Sequence, residues 1–342
     1  MLRFPDDRPR LCVVIDTEEE FDWSKPFDRA SRSVTNIADQ WRAQSIFARY
    51  GIIPTYVVDH PVAADETAIG ILAECQNAGT AHIGAHLHPW VTPPDEEEIC
   101  PVNSYPGNLP PDLERQKLTV LTELIAAQTG RRPTVYKAGR YGLGTATPAT
   151  LSALGYRVDC SVVPFTRFSH DGGPDFTDRD PAPGPLDGQD ILELPLSVGF
   201  TGLLRRHGRH LFPAVSGGWG LRLHLPGVLA RTGVLERIRL SPEGARASDH
   251  RRLVNAMRAD GHQLFSYTYH SPSLAPGHTP YVETTAVRDR FLDDMDRFFD
   301  DFFGRLQGVA TTPGDLWEAW RGGAAAPAID EDRADALAPR EG

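Results

Sequence analysis

Two rhythms alternate along this chain. Short apolar runs bounded by polar turns recur at residues 11–15, 52–58, 81–88, 133–138, 156–161, 191–196, 263–269 and 309–312. Runs of this length read as strands, and the most continuous of them as strands buried on both faces. Between the runs, apolar residues at helical spacing predict helices over 36–50, 65–77, 112–128, 147–154, 248–259, 284–306 and 315–321. The clearest is 284–306, where Phe291, Leu292, Met295, Phe298, Phe299, Phe302 and Phe303 form one apolar stripe that belongs to the core. Strand, helix, strand in this order is the pattern of parallel strands joined by right-handed crossovers.

Three stretches break the rhythm. Residues 91–111 make a long loop rich in Pro and acid, whose charge run 95–98 reads as a solvated face. Residues 164–190 are rich in Pro, Gly and Asp and predict an excursion rather than core. Residues 198–242 hold Arg205, Arg206, Arg209 and Arg222 and a Gly-rich turn at 216–220; they read as an insertion that shapes specificity, with no chemistry assigned. The expected organisation is one domain over 1–321 with an insertion around 164–242, followed by an Ala/Pro/Asp-rich tail, 322–342, expected to be disordered.

Composition narrows the partners. The 342 residues are 40% hydrophobic and 24% charged, as in a globular protein, and a single α/β barrel commonly uses this much sequence. A net charge of −11 argues against nucleic acid or an anionic membrane surface as the main partner. Cys12, Cys75, Cys100 and Cys160 are scattered, which suggests reduced thiols rather than a disulfide framework. No apolar run is long enough to span a bilayer and no secretory leader is legible, so the expected location is cytoplasmic.

Chemistry gathers where the strands end. Asp16 and Glu18 follow the first run, two residues apart and therefore on one face of extended backbone. His82, His86 and His88 share a face of the third run in the same way. Lys137 and Arg140 close the fourth, and His270 follows the run 263–269. In an α/β barrel such C-terminal strand ends form the active-site rim. One carboxylate with two imidazoles, a second carboxylate and a separate histidine are the inventory for metal-assisted hydrolysis.

The order and context of these motifs resemble the polysaccharide deacetylase superfamily, which includes carbohydrate esterase family four. The spaced acids of Val14-Ile15-Asp16-Thr17-Glu18 resemble its first motif, and Gly84-Ala85-His86-Leu87-His88 its second. Tyr136–Gly142 is similar to its aromatic–Arg segment, with Lys137 where arginine is usual, and Tyr269-His270-Ser271-Pro272 to its last motif. The likeness runs from about residue 11 to 312. It implies a distorted (β/α) barrel of seven strands with long rim loops. It also implies a divalent-metal-dependent deacetylase of an N-acetylated sugar or glycan precursor, with zinc as the expected metal. By that likeness Asp16 is the general base, Glu18, His86 and His88 are the metal ligands and His270 is the general acid. Lys137 would orient the base, with Arg140 sharing that duty, and a backbone N–H around Gly139–Tyr141 would face the oxyanion. Trp90, Tyr141 and Tyr269 are candidates to stack on a sugar.

Two departures stand out. Many members place the second metal histidine four residues after the first, which here is Trp90; the third ligand thus stays open between His88 and another residue, with His82 read as structural. Lysine at 137 lacks the bidentate fork of arginine. Two other functions remain in view: hydrolysis of another non-peptide C–N bond on the same barrel, and a catalytically silent carbohydrate-binding barrel.

Overall fold

The first apolar run becomes β1 (Arg10–Thr17), in which every residue is buried. The computed structural model describes residue 2 and residues 4–322, so the tail expectation lies, apart from Gly322, outside the described residues. The strands that follow are β2 (Thr55–Val58), β3 (His82–Leu87), β4 (Val135–Ala138) and β5 (Val158–Asp159). Then come β6 (Gly184–Pro185), β7 (Leu192–Glu193), β8 (Val198–Thr201), β9 (Glu236–Arg239), β10 (Leu264–Tyr267) and β11 (Val309–Ala310). The main sheet runs in the order β10-β1-β2-β3-β4-β5-β7-β6, and β11 pairs with the start of β1. Pairing is parallel throughout except at β6, a short antiparallel edge. The result is a curled half-barrel, a distorted (β/α) barrel whose path of eight strands is one longer than the seven expected.

The seam between β7 and β10 is closed irregularly. Ser266 N–H donates to Ser197 Oγ at 2.8 Å, Leu240 N–H to Ser197 O at 2.9 Å and Thr268 N–H to Leu240 O at 3.2 Å. These bonds belong to the roots of the antiparallel ribbon β8–β9, which stands beside the barrel mouth.

Helices cover the outer face: α1 (Trp41–Arg49), α2 (His60–Ala64), α3 (Glu66–Asn77), α4 (Pro111–Thr129) and α5 (Thr147–Leu154). The short α6 (Gly208–Val215), α7 (Gly218–Arg222) and α8 (Leu225–Arg231) sit on the ribbon. The chain continues with α9 (Ala247–Ala259), α10 (Thr285–Phe299) and α11 (Pro313–Gly322). Periodicity did not foresee α2. Its start is set by Asp59, whose carboxylate accepts from Val62 N–H at 2.9 Å, and by Pro61 in the first turn. The stripe over 284–306 divides into α10 and a π-helical turn, Asp300–Arg305.

Strand alternation sorts the core into two layers. Leu11, Val13, Ile15, Ile83, Ala85, Leu87, Tyr136, Ala138, Phe265, Tyr267 and Tyr269 face outward into one cluster beneath the helices. Cys12, Val14, Val57, Val135, Val158, Leu192 and Leu264 face inward and meet Leu316 of α11. The inner residues fill the end from which the strands start; the polar members of the same inward set lie at the other end. The four cysteines are unpaired.

Loop 91–111 keeps Asp95, Glu96 and Glu98 exposed, as a solvated charge run should be, while its base is anchored from within. Lys117 of α4 is fully buried and donates to the carbonyls of Pro89 (3.0 Å), Thr92 (2.5 Å) and Pro94 (2.7 Å). Its ammonium also pairs with Glu97 at 2.8 Å, drawing one member of the acidic run inward.

Candidate active site

Alternation carried two residues further builds the site. Asp16 continues the inward series Cys12, Val14; His86 and His88 continue Gly84; Lys137 continues Val135; His270 continues Leu264, Ser266, Thr268. Four strand ends therefore aim polar groups at one mouth. Gly139 sits where a Cβ would come within 2.3 Å of Leu87 O and 2.5 Å of the His88 ring, so glycine there lets the β4 turn press against the histidines. The next two residues, Arg140 and Tyr141, take left-handed backbone at φ 52° and 60°.

Glu18 Oε2 lies 3.4 Å from both His86 Nε2 and His88 Nε2. All three side chains are buried. On the far side of each ring, Nδ1 faces an acceptor: Lys137 O for His86 (2.9 Å) and Glu19 Oε2 for His88 (2.8 Å). Protonation at Nδ1 leaves both Nε2 lone pairs directed at a carboxylate, an arrangement of mutual repulsion unless a cation lies between them. Glu18 Oε1 is buried without a hydrogen-bond partner among the described residues. This donor set of one carboxylate and two imidazoles fits a divalent ion of the zinc type. The nearby group Glu19, Asp59 and His88 does not, because its oxygens are already engaged. Glu19 accepts from Trp90 Nε1 at 2.8 Å as well as from His88, and Asp59 accepts from Glu19 N–H at 2.7 Å and from Val62 N–H. Two-residue spacing thus places both imidazoles on one edge, since His88 is still extended and keeps the alternation.

Asp16 and His270 flank this trio. Lys137 Nζ donates to Asp16 Oδ1 at 2.6 Å and to Thr268 Oγ1 at 3.0 Å. Burial opposes ionisation of Asp16, but the Lys137 ammonium, helped by His86 and His270, outweighs it and holds the carboxyl below its usual range. His270 Nε2 stands 3.5 Å from Asp16 Oδ2, while its Nδ1 donates to Glu243 Oε2 at 2.8 Å. Glu243 also accepts from His270 N–H (3.0 Å) and Ser273 Oγ (2.7 Å). Burial disfavours the His270 imidazolium, yet the carboxylates of Glu243 and Glu18 prevail and hold its pKa well above the ordinary value.

These groups open into a cleft of about 300 Å³. Phe21, Trp23, Phe27, Tyr105, Tyr141 and Phe168 line its wall with aromatic rings. The Trp23 ring meets His270 edge-on, with centroids 5.2 Å apart. Arg239, on β9, also faces the cleft; it donates to Tyr141 Oη at 3.3 Å and has no carboxylate within 4.0 Å among the described residues.

Several expected residues lie elsewhere. Trp90 is buried behind His88, stacked on it at 4.2 Å, and lines no part of the cleft. Tyr269 belongs to the outward set; its hydroxyl lies 3.1 Å from Gln40 Oε1 beneath the helices. Neither is placed to touch a substrate. Arg140 lines the cleft, but its guanidinium binds Ser104 Oγ at 2.6 Å and pairs with Asp171, tying two loops together rather than reaching Asp16. His82 is exposed at the opposite end of β3 rather than a packed interior histidine. Glu19, Glu243, Arg239 and the aromatic run 21–27 were not singled out from sequence. Only the acid–aromatic run after β1 carried a local signal; Glu243 and Arg239 come from the seam, where no periodicity marks them.

No protein-family model matches the chain, and no curated protein matches its sequence. Solved structures do match its fold. A protein of Parabacteroides distasonis assigned as a glycoside hydrolase/deacetylase aligns with a TM-score of 0.58 at 13% identity, over 92% of this chain and 72% of that one. Puue allantoinase aligns at 0.52 and 16%, over 93% and 92%. A protein of Mycobacterium smegmatis assigned as a polysaccharide deacetylase aligns at 0.50 and 16%, over 96% of both chains. At such identities the likeness is one of fold, and the chain has the distorted (β/α) barrel fold found in these deacetylase-type and allantoinase structures.

Proposed function

We infer that the chain is a divalent-metal-dependent hydrolase of carbon–nitrogen bonds, which removes N-linked acetyl groups from a sugar or polysaccharide precursor. The site is carried by a single domain over residues 1–321. The observation behind this reading is the Glu18–His86–His88 trio with Asp16 and His270 flanking it in one aromatic cleft. Glu18, His86 and His88 would hold a divalent ion, zinc by donor type, which when bound would supply Lewis acidity and a more acidic water. Asp16, kept ionised by Lys137, accepts the proton of the attacking water. A backbone N–H of the Gly139–Tyr141 turn faces the developing oxyanion. His270, oriented and kept protonated by Glu243, delivers its proton to the leaving amine. Phe21, Trp23 and Tyr141 exclude water and offer ring faces to the sugar.

A second reading keeps the machinery and changes the substrate. A cleft of about 300 Å³ walled by aromatic rings suits a small amide as well as one sugar unit. The test is acetate release from a panel of N-acetylated saccharides by metal-loaded protein, beside ammonia or amine release from small cyclic and linear amides. Acetate release abolished in Asp16→Asn supports deacetylation; turnover confined to the amides supports the second reading. Turnover of neither, with no metal retained, leaves a binding barrel.

A further inference from the structure

The helices on the β8–β9 ribbon form a cap unlike the rest of the surface. Of the eleven large apolar side chains exposed among the described residues, seven belong to this cap: Leu203, Leu204, Leu211, Trp219, Leu221, Leu223 and Val228. Leu203 is 86% exposed and Trp219 79%. Residues 202–235 contain five arginines and three histidines and no Asp or Glu, within a chain of net charge −11. Arg205 and Arg209 reach carboxylates outside the cap, Asp260 and Asp178. Arg206, Arg222 and Arg231 are exposed and, among the described residues, have no carboxylate within 4.0 Å.

The cap is built rather than loose. In α7, Gly220 lies where a Cβ would overlap Val215 O at 1.8 Å, so the helix packs directly on the end of α6. Phe212 of α6 packs on Phe200 of β8, with ring centroids 5.7 Å apart. With its inner residues committed in this way, the cap leaves Trp219 of α7 and Leu223, the residue that ends that helix, exposed to solvent four positions apart. Exposed apolar clusters of this kind mark interaction sites. Arginine interleaved with exposed Trp and Leu is the composition of segments that lie in a bilayer interface, where indole and leucine enter the headgroup boundary and arginine meets lipid phosphate.

We propose that residues 202–231 dock the protein onto an anionic lipid bilayer, with Trp219, Leu221 and Leu223 inserted and Arg206, Arg222 and Arg231 on the headgroup phosphates. This goes beyond the hydrolase reading and does not depend on it. It also revises the expectation drawn from net charge, because a surface responds to the charge it faces and not to the total. A second copy of the cap is a poor partner, since two acid-free cationic faces repel.

Co-sedimentation of the full chain with phosphatidylcholine vesicles, with and without phosphatidylglycerol, tests the idea. Binding is expected to the anionic vesicles and to weaken with salt. Trp219→Ser/Leu221→Ser/Leu223→Ser is expected to lower it about tenfold or more, as is Arg206→Gln/Arg222→Gln/Arg231→Gln. Quenching of tryptophan emission by brominated lipid should vanish in Trp219→Phe to the extent that Trp219 is the inserted ring. Circular dichroism of each variant separates lost docking from lost fold. Failure of the wild type to sediment with anionic vesicles overturns the proposal. So does sedimentation unchanged in both triple variants, or wild-type binding to duplex DNA or self-association in place of vesicle binding.

Discussion

His88 and His270 occupy equivalent places, each just past a strand and facing inward, yet they are driven to opposite protonation states. Both present Nδ1 to a carboxylate at 2.8 Å. For His88 that carboxylate is Glu19, itself pushed up to about 7 by burial, with the nearby charge of Glu18 adding to the rise and a hydrogen bond with Asp59 only partly offsetting it. Burial then dominates and His88 falls to about 4, a neutral imidazole suited to binding a metal. For His270 the partner is Glu243, whose carboxyl is held below its usual range: burial works against this, and the imidazolium, with Arg239, overcomes it. A hydrogen bond to a carboxylate is therefore no guide to a histidine's charge; the carboxylate's own surroundings decide.

The sharpest break in this comparison is removal of the groups themselves. His86→Ala or His88→Ala should abolish retention of stoichiometric metal, read by elemental analysis of protein purified without added metal. Asp16→Asn and His270→Ala should keep the metal while lowering kcat by about 10²–10⁴-fold, the usual worth of a general base or acid. Glu243→Gln tests the contrast directly and should cost about tenfold to a hundredfold in kcat, as for other residues that orient a catalytic group. Its sign in pH follows from His270 acting when protonated. The raised pKa sustains activity until pH climbs through it, so loss of the Glu243 charge should move the alkaline limb of the kcat profile to lower pH. The smallest effect is expected at Trp90→Phe. The lost indole bond to Glu19 should cost about 1–3 kcal/mol in urea unfolding, with KM unchanged because the ring is not on the cleft wall.

Much of this was legible in advance because strand alternation is a strict rule. Residue parity along β1, β3, β4 and β10 places Asp16, His86, His88, Lys137 and His270 inward, and the resemblance names their roles. The same parity, applied to β10, would have excluded Tyr269 from the cleft, since it is odd with the outward Phe265 and Tyr267. Trp90 follows the strand, where alternation ends, so its burial depended on the indole finding Glu19 across 71 residues of chain. Glu243 and Arg239 were illegible for a related reason. They sit at an irregular seam held by isolated backbone bonds rather than a ladder, and no pattern in the sequence says which side chain turns toward the mouth.

That seam has a consequence for how such a molecule can vary. The ribbon ends with Thr201 facing Glu236, so the chain leaves the barrel and returns to it through one pair of neighbours. Residues 202–235 are joined covalently to the barrel only through that doorway, with side-chain ties from Arg205 to Asp260 and from Arg209 to Asp178 beyond it. Its length can change without shifting the register of any parallel strand, much as a hairpin tolerates a longer or shorter turn. The appendage and the catalytic mouth thus meet at the short strand β9, which carries Arg239 back to the cleft.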